Sequence, residues 1–255
     1  MAKNTTPSAM NTTTDATLFT PERSVIDAAA AMKMASRCSD YNDSRGEARN
    51  FSCREFRGIK FTGEDLSGIN TTYSRFEDCE FENCNLSRME AYFSEWTNCV
   101  FKNCSLENAN FSFATINDTS FFNCNLDGVD MPFVRGNFGA TQCMMTRATA
   151  QNSTLQLHLC AVNGQGFEAN FARLDIADAS NCNFRRSEWN DGVIKGRFEQ
   201  CDLGNSEFNR SDISELEIID SATYGMETEE SFDMDDDIDS ALDEAISELE
   251  DVLDE

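Results

Sequence analysis

Histidine is nearly missing from this chain: there is one, His158, in 255 residues. Imidazole acid–base chemistry and multi-histidine metal sites therefore have almost no material. Basic residues are also few, 20 against 46 acidic ones, and the formal net charge is −26. Nucleic acid and anionic membranes are held by clustered Lys and Arg, so neither is expected as a direct partner. No run of about 18 apolar residues exists, and no transmembrane helix is expected. No basic start leads into an apolar stretch, so no secretory signal is expected and the chain reads as cytoplasmic. Phosphate loops, nucleotide fingerprints and nucleophile elbows are missing too, so no enzyme activity, catalytic residue or cofactor is expected. The 11 cysteines contain no Cys-x-x-Cys pair, and no metal site is expected.

What is present is first an uneven charge. Residues 227–255 hold 15 acidic side chains and no Lys or Arg, and residues 49–226 hold 25 acids and 15 bases. The cleanest acidic stretch in the body is Glu77, Asp78, Glu80, Glu82, Glu90, Glu95 and Glu107. Arginine and lysine crowd the later part of the body, at Arg135, Arg147, Arg173, Arg185, Arg186, Lys195, Arg197 and Arg210.

Second, there is a period of five. Stepping by five from Phe51 meets Phe56, Phe61, Leu66, Thr71, Phe76, Phe81, Leu86, Ala91, Trp96, Phe101, Leu106, Phe111, Ile116, Phe121, Leu126 and Met131. Only Thr71 and Ala91 are not large and apolar. Helices and ordinary strands repeat at 3.6 and 2.0 and cannot hold such a period. Two residues earlier the side chain is small, as at Ser74, Cys79, Cys84, Ser94, Cys99, Cys104 and Cys124. Asn or Asp often follows, a residue suited to turns. Like residues also recur at 20: Phe61, Phe81, Phe101 and Phe121 in one set, Leu66, Leu86, Leu106 and Leu126 in the next. A coil of four five-residue sides stacks them in columns, as in a solenoid. The cysteines obey the same step, which predicts interior packing as reduced thiols.

Segments such as Cys79-Glu80-Phe81, Cys84-Asn85-Leu86 and Cys124-Asn125-Leu126 make residues 49–220 resemble the pentapeptide-repeat family. The resemblance implies an all-β solenoid, a right-handed quadrilateral β-helix with Phe or Leu pointing inward. The register fails after Met131, and Pro132 and Gly136 predict a break near 132–140. Beyond it the inward positions are read as Met145, Leu155, Val162, Phe167, Phe171, Ile176, Phe184, Trp189, Ile194, Phe198, Leu203, Phe208, Ile213 and Ile218. Small partners are read at Cys143, Ser153, Cys160, Ala169, Cys182, Ser187, Cys201, Ser206 and Ser211. His158 alternates with leucines and is expected to face outward.

The ends read differently. Residues 1–19 are expected to be disordered. Residues 20–48 are read as an N-terminal helix and cap, with Thr20 as N-cap, Pro21 at the first helical position, and Val25 and Ile26 on its apolar face. Residues 221–255 form an acidic tail. Within it, 236–253 carry an amphipathic helical pattern through Ile238, Leu242, Ile246, Leu249 and Leu253. Docking of that stripe on the Arg-bearing last coils, in the same or a sister chain, suits the charges, as does a basic foreign partner. A homodimer through the C-terminal coils is left open.

Two functions fit. The family includes quinolone-resistance and topoisomerase-modulating rods whose acidic surface imitates duplex DNA. The resemblance implies a non-enzymatic inhibitor that occupies the DNA groove of gyrase, topoisomerase IV or a restriction or defence nuclease. Its partner would be a basic DNA-binding protein in a bacterial or phage-infected cell. The alternative is a scaffold or secreted effector whose acidic tail binds a protein. The first places binding on the body acids; the second places it on Asp235, Asp236, Asp237, Asp239, Leu242, Ile246 and Leu249. A continuous negative stripe favours mimicry, and a mixed surface favours the scaffold.

Overall fold

A computed structural model describes residues 24–26, 29–31, 33 and 50–229. Its strands are short because the five-residue period interrupts them at corners. They are β1 (Ser24–Ile26), β2 (Arg54–Arg57), β3 (Lys60–Thr62), β4 (Arg75–Glu77), β5 (Glu80–Glu82), β6 (Glu95–Thr97) and β7 (Val100–Lys102). Six others follow: β8 (Thr115–Phe122), β9 (Arg135–Thr141), β10 (Thr154–Cys160), β11 (Arg173–Ser180), β12 (Val193–Glu199) and β13 (Leu216–Ile219). Every pairing is parallel and joins residues 19 or 20 apart along the coil, apart from the N-terminal pair β1–β2. Single bridges make the other two sides, for example Asn85 to Ser105 to Asn125 and Glu90 to Asn110 to Asp130. The result is an all-β parallel solenoid with four sides. At about 4.8 Å per coil its length is on the order of 40 Å.

The predicted columns are its core. Phe61, Phe81, Phe101 and Phe121 are all buried and stack face to face, with ring centroids 4.8, 4.8 and 4.9 Å apart. Leu66, Leu86, Leu106 and Leu126 are buried beside them, and Thr71 and Ala91 are buried in register despite their size. Each corner turns through a left-handed residue, often Asn or Gly, as at Asn98, Asn103, Asn108 and Asn123.

The expected break at 132–140 is instead strand β9. Between β8 and β9 the pairing slips from 20 to 19 residues, so one residue is dropped and the rod continues. The dropped residue removes a corner. Two sides that begin as separate ladders, β2–β4–β6 and β3–β5–β7, both pair with β8 and merge into the single wide face of β8 to β13. Gly136 opens β9 at φ +123, and a Cβ there would lie 1.9 Å from the Ile116 carbonyl oxygen. Gly196 repeats this in β12, at φ +107 and 1.9 Å from the Ile176 oxygen. The slip also exchanges large and small residues: Phe138 pairs with Thr119, and Ala140 with Phe121.

Four further expectations are corrected. Phe171 does not point inward; it is 59% exposed at φ +59, and Ala172 takes the buried place. The four-residue step from Phe167 was read as an inward step, whereas it leads to a corner. Cys160 is exposed, and Val162 occupies the small-residue column that Cys143 and Cys182 share. Residues Ser24–Ile26 are not helical but form β1, pairing with β2. The reason is that β2 would otherwise present an open sheet edge, and β-branched Val25 and Ile26 suit a strand. Helical backbone falls only at Ala29, Ala30, Ala31 and Lys33 among the described residues. Finally, coil bridges run past 220, through Asp202–Ala222 and Glu207–Glu227. The expectations for residues 1–19 and for the tail helix at 236–253 lie outside the described residues.

Candidate protein-binding surface

Parallel pairing at 20 residues decides what the predicted acids face. Glu80 lies between Lys60 and Val100, and Glu95 pairs with Arg75. Lys60 Nζ lies 2.7 Å from Glu82 and 3.4 Å from Glu80, and Lys102 Nζ is 2.8 Å from Glu80. Arg75 bonds Glu95 at 2.6 Å, and Arg57 reaches Glu77 at 3.4 Å. Asp78 accepts from the Asn98 amide at 2.6 Å. The hydrogen bond from Lys102 holds the Glu80 carboxyl below its ordinary range. Glu90 and Glu107 sit on other sides of the rod. The acidic stretch is therefore neutralised and divided, a mixed surface.

A different column carries uncompensated charge. On one side of the coil the outward residues run Glu90, Asn110, Asp130, Thr149, Glu168, Glu188, Glu207 and Glu227, one per turn. Only Glu90 belongs to the predicted set. Amides and hydroxyls support these carboxylates: Thr149 donates to Asp130, Gln151 to Glu168 at 3.3 Å and Asn170 to Glu188 at 3.2 Å. No Lys or Arg makes an ion pair with them among the described residues. The last four stand in successive coils, about 4.8 Å apart. Glu168, Glu188 and Glu207 each precede a buried residue of one inward column (Ala169, Trp189 and Phe208), so the column was discoverable once the 19-residue turns were known.

Beside this column one corner is aromatic. Tyr73, Phe93, Phe113 and Phe133 stack at 5.1, 4.9 and 4.8 Å with near-parallel rings and are 37–47% exposed. All four have φ between +54 and +61, a conformation that L residues other than Asn, Asp and Gly adopt at a cost. A contiguous exposed apolar ladder of this kind marks an interaction surface. Its 20-residue spacing was legible in the sequence but was overlooked because the residues fall between the inward positions.

The cysteines stack inside, with Cys79, Cys84, Cys99, Cys104, Cys124, Cys143, Cys182 and Cys201 buried and free. The hydrogen bond shared with Cys104, and then burial, push the Cys84 thiol far up. Hydrogen bonding with Cys124, and then with Cys84, shifts Cys104 the other way. We assign one proton to each sulfur, because an apolar column disfavours a thiolate. Residues Asp235, Asp236, Asp237, Asp239, Leu242, Ile246 and Leu249 lie outside the described residues. His158 is exposed between Gly139 and Asp178. Among the described residues no helix is long and apolar enough to cross a membrane.

The architecture defines the class: a parallel β-solenoid with five-residue sides and buried Phe and Leu columns. Residues 96–131 match the family model for pentapeptide repeats, with eight copies, and these residues are pentapeptide repeats. No curated protein matches the chain. Among solved structures it is similar to trypsin-treated QnrB1, a plasmid-mediated fluoroquinolone resistance protein, at 19% identity and a TM-score of 0.27, over 71% of this chain and 85% of that one. It is also similar to HetL, a pentapeptide repeat protein involved in heterocyst differentiation regulation from the cyanobacterium Nostoc, at 10% identity and a TM-score of 0.25, over 81% and 98%. Rfr23 from the cyanobacterium Cyanothece matches at 9% and 0.16, over 78% and 97%.

Proposed function

We propose that this chain is a non-enzymatic binding protein whose rod imitates the charged backbone of DNA and enters the groove of a basic DNA-processing enzyme. The observation that carries this is the uncompensated column Glu90, Asp130, Glu168, Glu188, Glu207 and Glu227. Rigid carboxylates on a straight ladder meet Lys and Arg without reorganising, and they raise the association rate at low salt. The adjoining ring ladder adds an exposed apolar strip beside the carboxylates. Gyrase, topoisomerase IV or a restriction or defence nuclease has the required groove, and the site of action is then the cytoplasm. The coil winds right-handed in this reading, as parallel crossovers do.

The neutralised acids at Glu77, Glu80, Glu82 and Glu95 support the scaffold alternative, in which the tail residues Asp235 to Leu249 bind the partner. One experiment separates the two. The full chain is tested for displacing labelled duplex DNA from each enzyme, with two charge-neutral variants. Glu168→Gln/Glu188→Gln/Glu207→Gln should weaken displacement about tenfold or more, by about 1.4 kcal/mol. Glu80→Gln/Glu82→Gln should leave it within about threefold. Equal losses in both variants, or no displacement by the unaltered protein, would remove the DNA-mimic reading.

A further inference from the structure

The merged face carries a groove of about 770 Å³ that the proposed DNA-mimic column does not use. It runs across the outward side of β9 to β12, over Thr154, Gln156 and Val193, and is rimmed by Arg135, Arg173 and Lys195. Two carboxylates also line it, Asp175 and Glu215. Lys195 approaches Asp175 at 3.9 Å, while Arg135 and Arg173 make no ion pair among the described residues. Three cations against two carboxylates give a local excess of positive charge, in a chain whose net charge is −26. An exposed cationic rim of this kind calls for an anionic occupant.

The chain supplies one. The described coil ends at Glu229, whose carbonyl accepts from the Arg210 backbone N–H. That places the exit at a corner in the last coil, beside the side whose outward residues include Val193 and its bridge partner Asp212. Residues 230–255 hold 13 acidic side chains, no basic one and the apolar stripe Ile238, Leu242, Ile246, Leu249 and Leu253. Six residues, 230–235, span up to about 20 Å when extended. Eighteen residues as a helix are about 27 Å long. The groove crosses about four coil spacings from Arg135 to the level of Glu215, or about 19 Å. Arm and helix therefore reach and cover it within one chain, and the covalent tether raises the local concentration of the tail to the millimolar range.

We infer that residues 230–255 fold back along β9 to β12 of their own chain, with their carboxylates on Arg135, Arg173 and Lys195. The strap covers the cation-rich face and leaves the carboxylate column open. It stands without the DNA-mimic reading, because no target is involved.

Zero-length carbodiimide coupling of the full-length protein, followed by peptide mass mapping, tests it. Lys60 with Glu82 and Lys102 with Glu80, at 2.7 and 2.8 Å, are internal positive controls. Lys195 should couple to acidic residues of 230–255 in monomeric product. Arg135→Gln/Arg173→Gln should lower that yield about fivefold or more while leaving the two controls unchanged. Raising ionic strength to about 1 M should lower it as well, since screening then acts within about 3 Å. Controls that couple while Lys195 joins only Asp175 would overturn the proposal. So would tail coupling confined to dimers, which would make a second copy the occupant.

Discussion

Truncating the middle of the phenylalanine column tests the architecture most directly. Phe101 is fully buried and stacks on Phe81 at 4.8 Å and Phe121 at 4.9 Å, with Trp96 tilted against it at 5.6 Å. Phe101→Ala removes the ring from a close-packed column that cannot collapse, since the backbones of adjacent coils are held by ladder hydrogen bonds. Large-to-small core changes of this kind cost about 3–5 kcal/mol. For a protein of this size each kcal/mol moves the midpoint about 2–4 °C, so a fall of about 6–20 °C is expected. Phe113→Ala, 47% exposed at a left-handed corner, removes a ring of the same size and should cost no more than about 1 kcal/mol. Thermal and urea unfolding, followed by circular dichroism and by the fluorescence of Trp96 and Trp189, read both variants. Near-equal losses, or a Phe101→Ala variant within about 1 kcal/mol of the parent, would refute the stacked-column assignment.

Other perturbations probe separate features. Gly136→Ala should destabilise by about 1–3 kcal/mol or more because its Cβ meets a backbone oxygen at φ +123, whereas Gly139→Ala in the same strand meets nothing closer than 3.7 Å and should be nearly neutral in urea titration. The hydrogen bond from Arg210 lowers the Asp191 carboxyl below its ordinary range. A depressed carboxylate stabilises above its unfolded pKa, and that contribution is lost as pH falls through the folded value. Carbon-detected NMR should find the Asp191 midpoint depressed, and Arg210→Ala should return it to the usual carboxylate range. Native mass measurement should find all 11 cysteines as thiols in protein prepared under reducing conditions; lost hydrogens would show that neighbouring sulfurs in the stack oxidise.

Length and periodicity alone determined the solenoid and its core columns between Phe51 and Met131. The reason is that the five-residue side is a local geometric unit, so each inward position is announced by its neighbour two residues earlier. The same logic marked Cys84, Cys104 and Cys124 as interior. What the tertiary structure decided is everything that depends on coil-to-coil register. One-residue slips in register, the first of them between β8 and β9, turned an expected loop into β9 and joined two sides, and coil pairing put Phe171 at an exposed corner. Register also assigned charge: Lys60, Arg75 and Lys102 cancel the acids that looked bare in sequence. The acids that remain bare, Glu168, Glu188 and Glu207, lie 19 or 20 residues apart, and only stacking brings them onto one line. Outward residues obey no local packing constraint, so their neighbours are set by the pairing of whole coils, which a linear reading cannot supply.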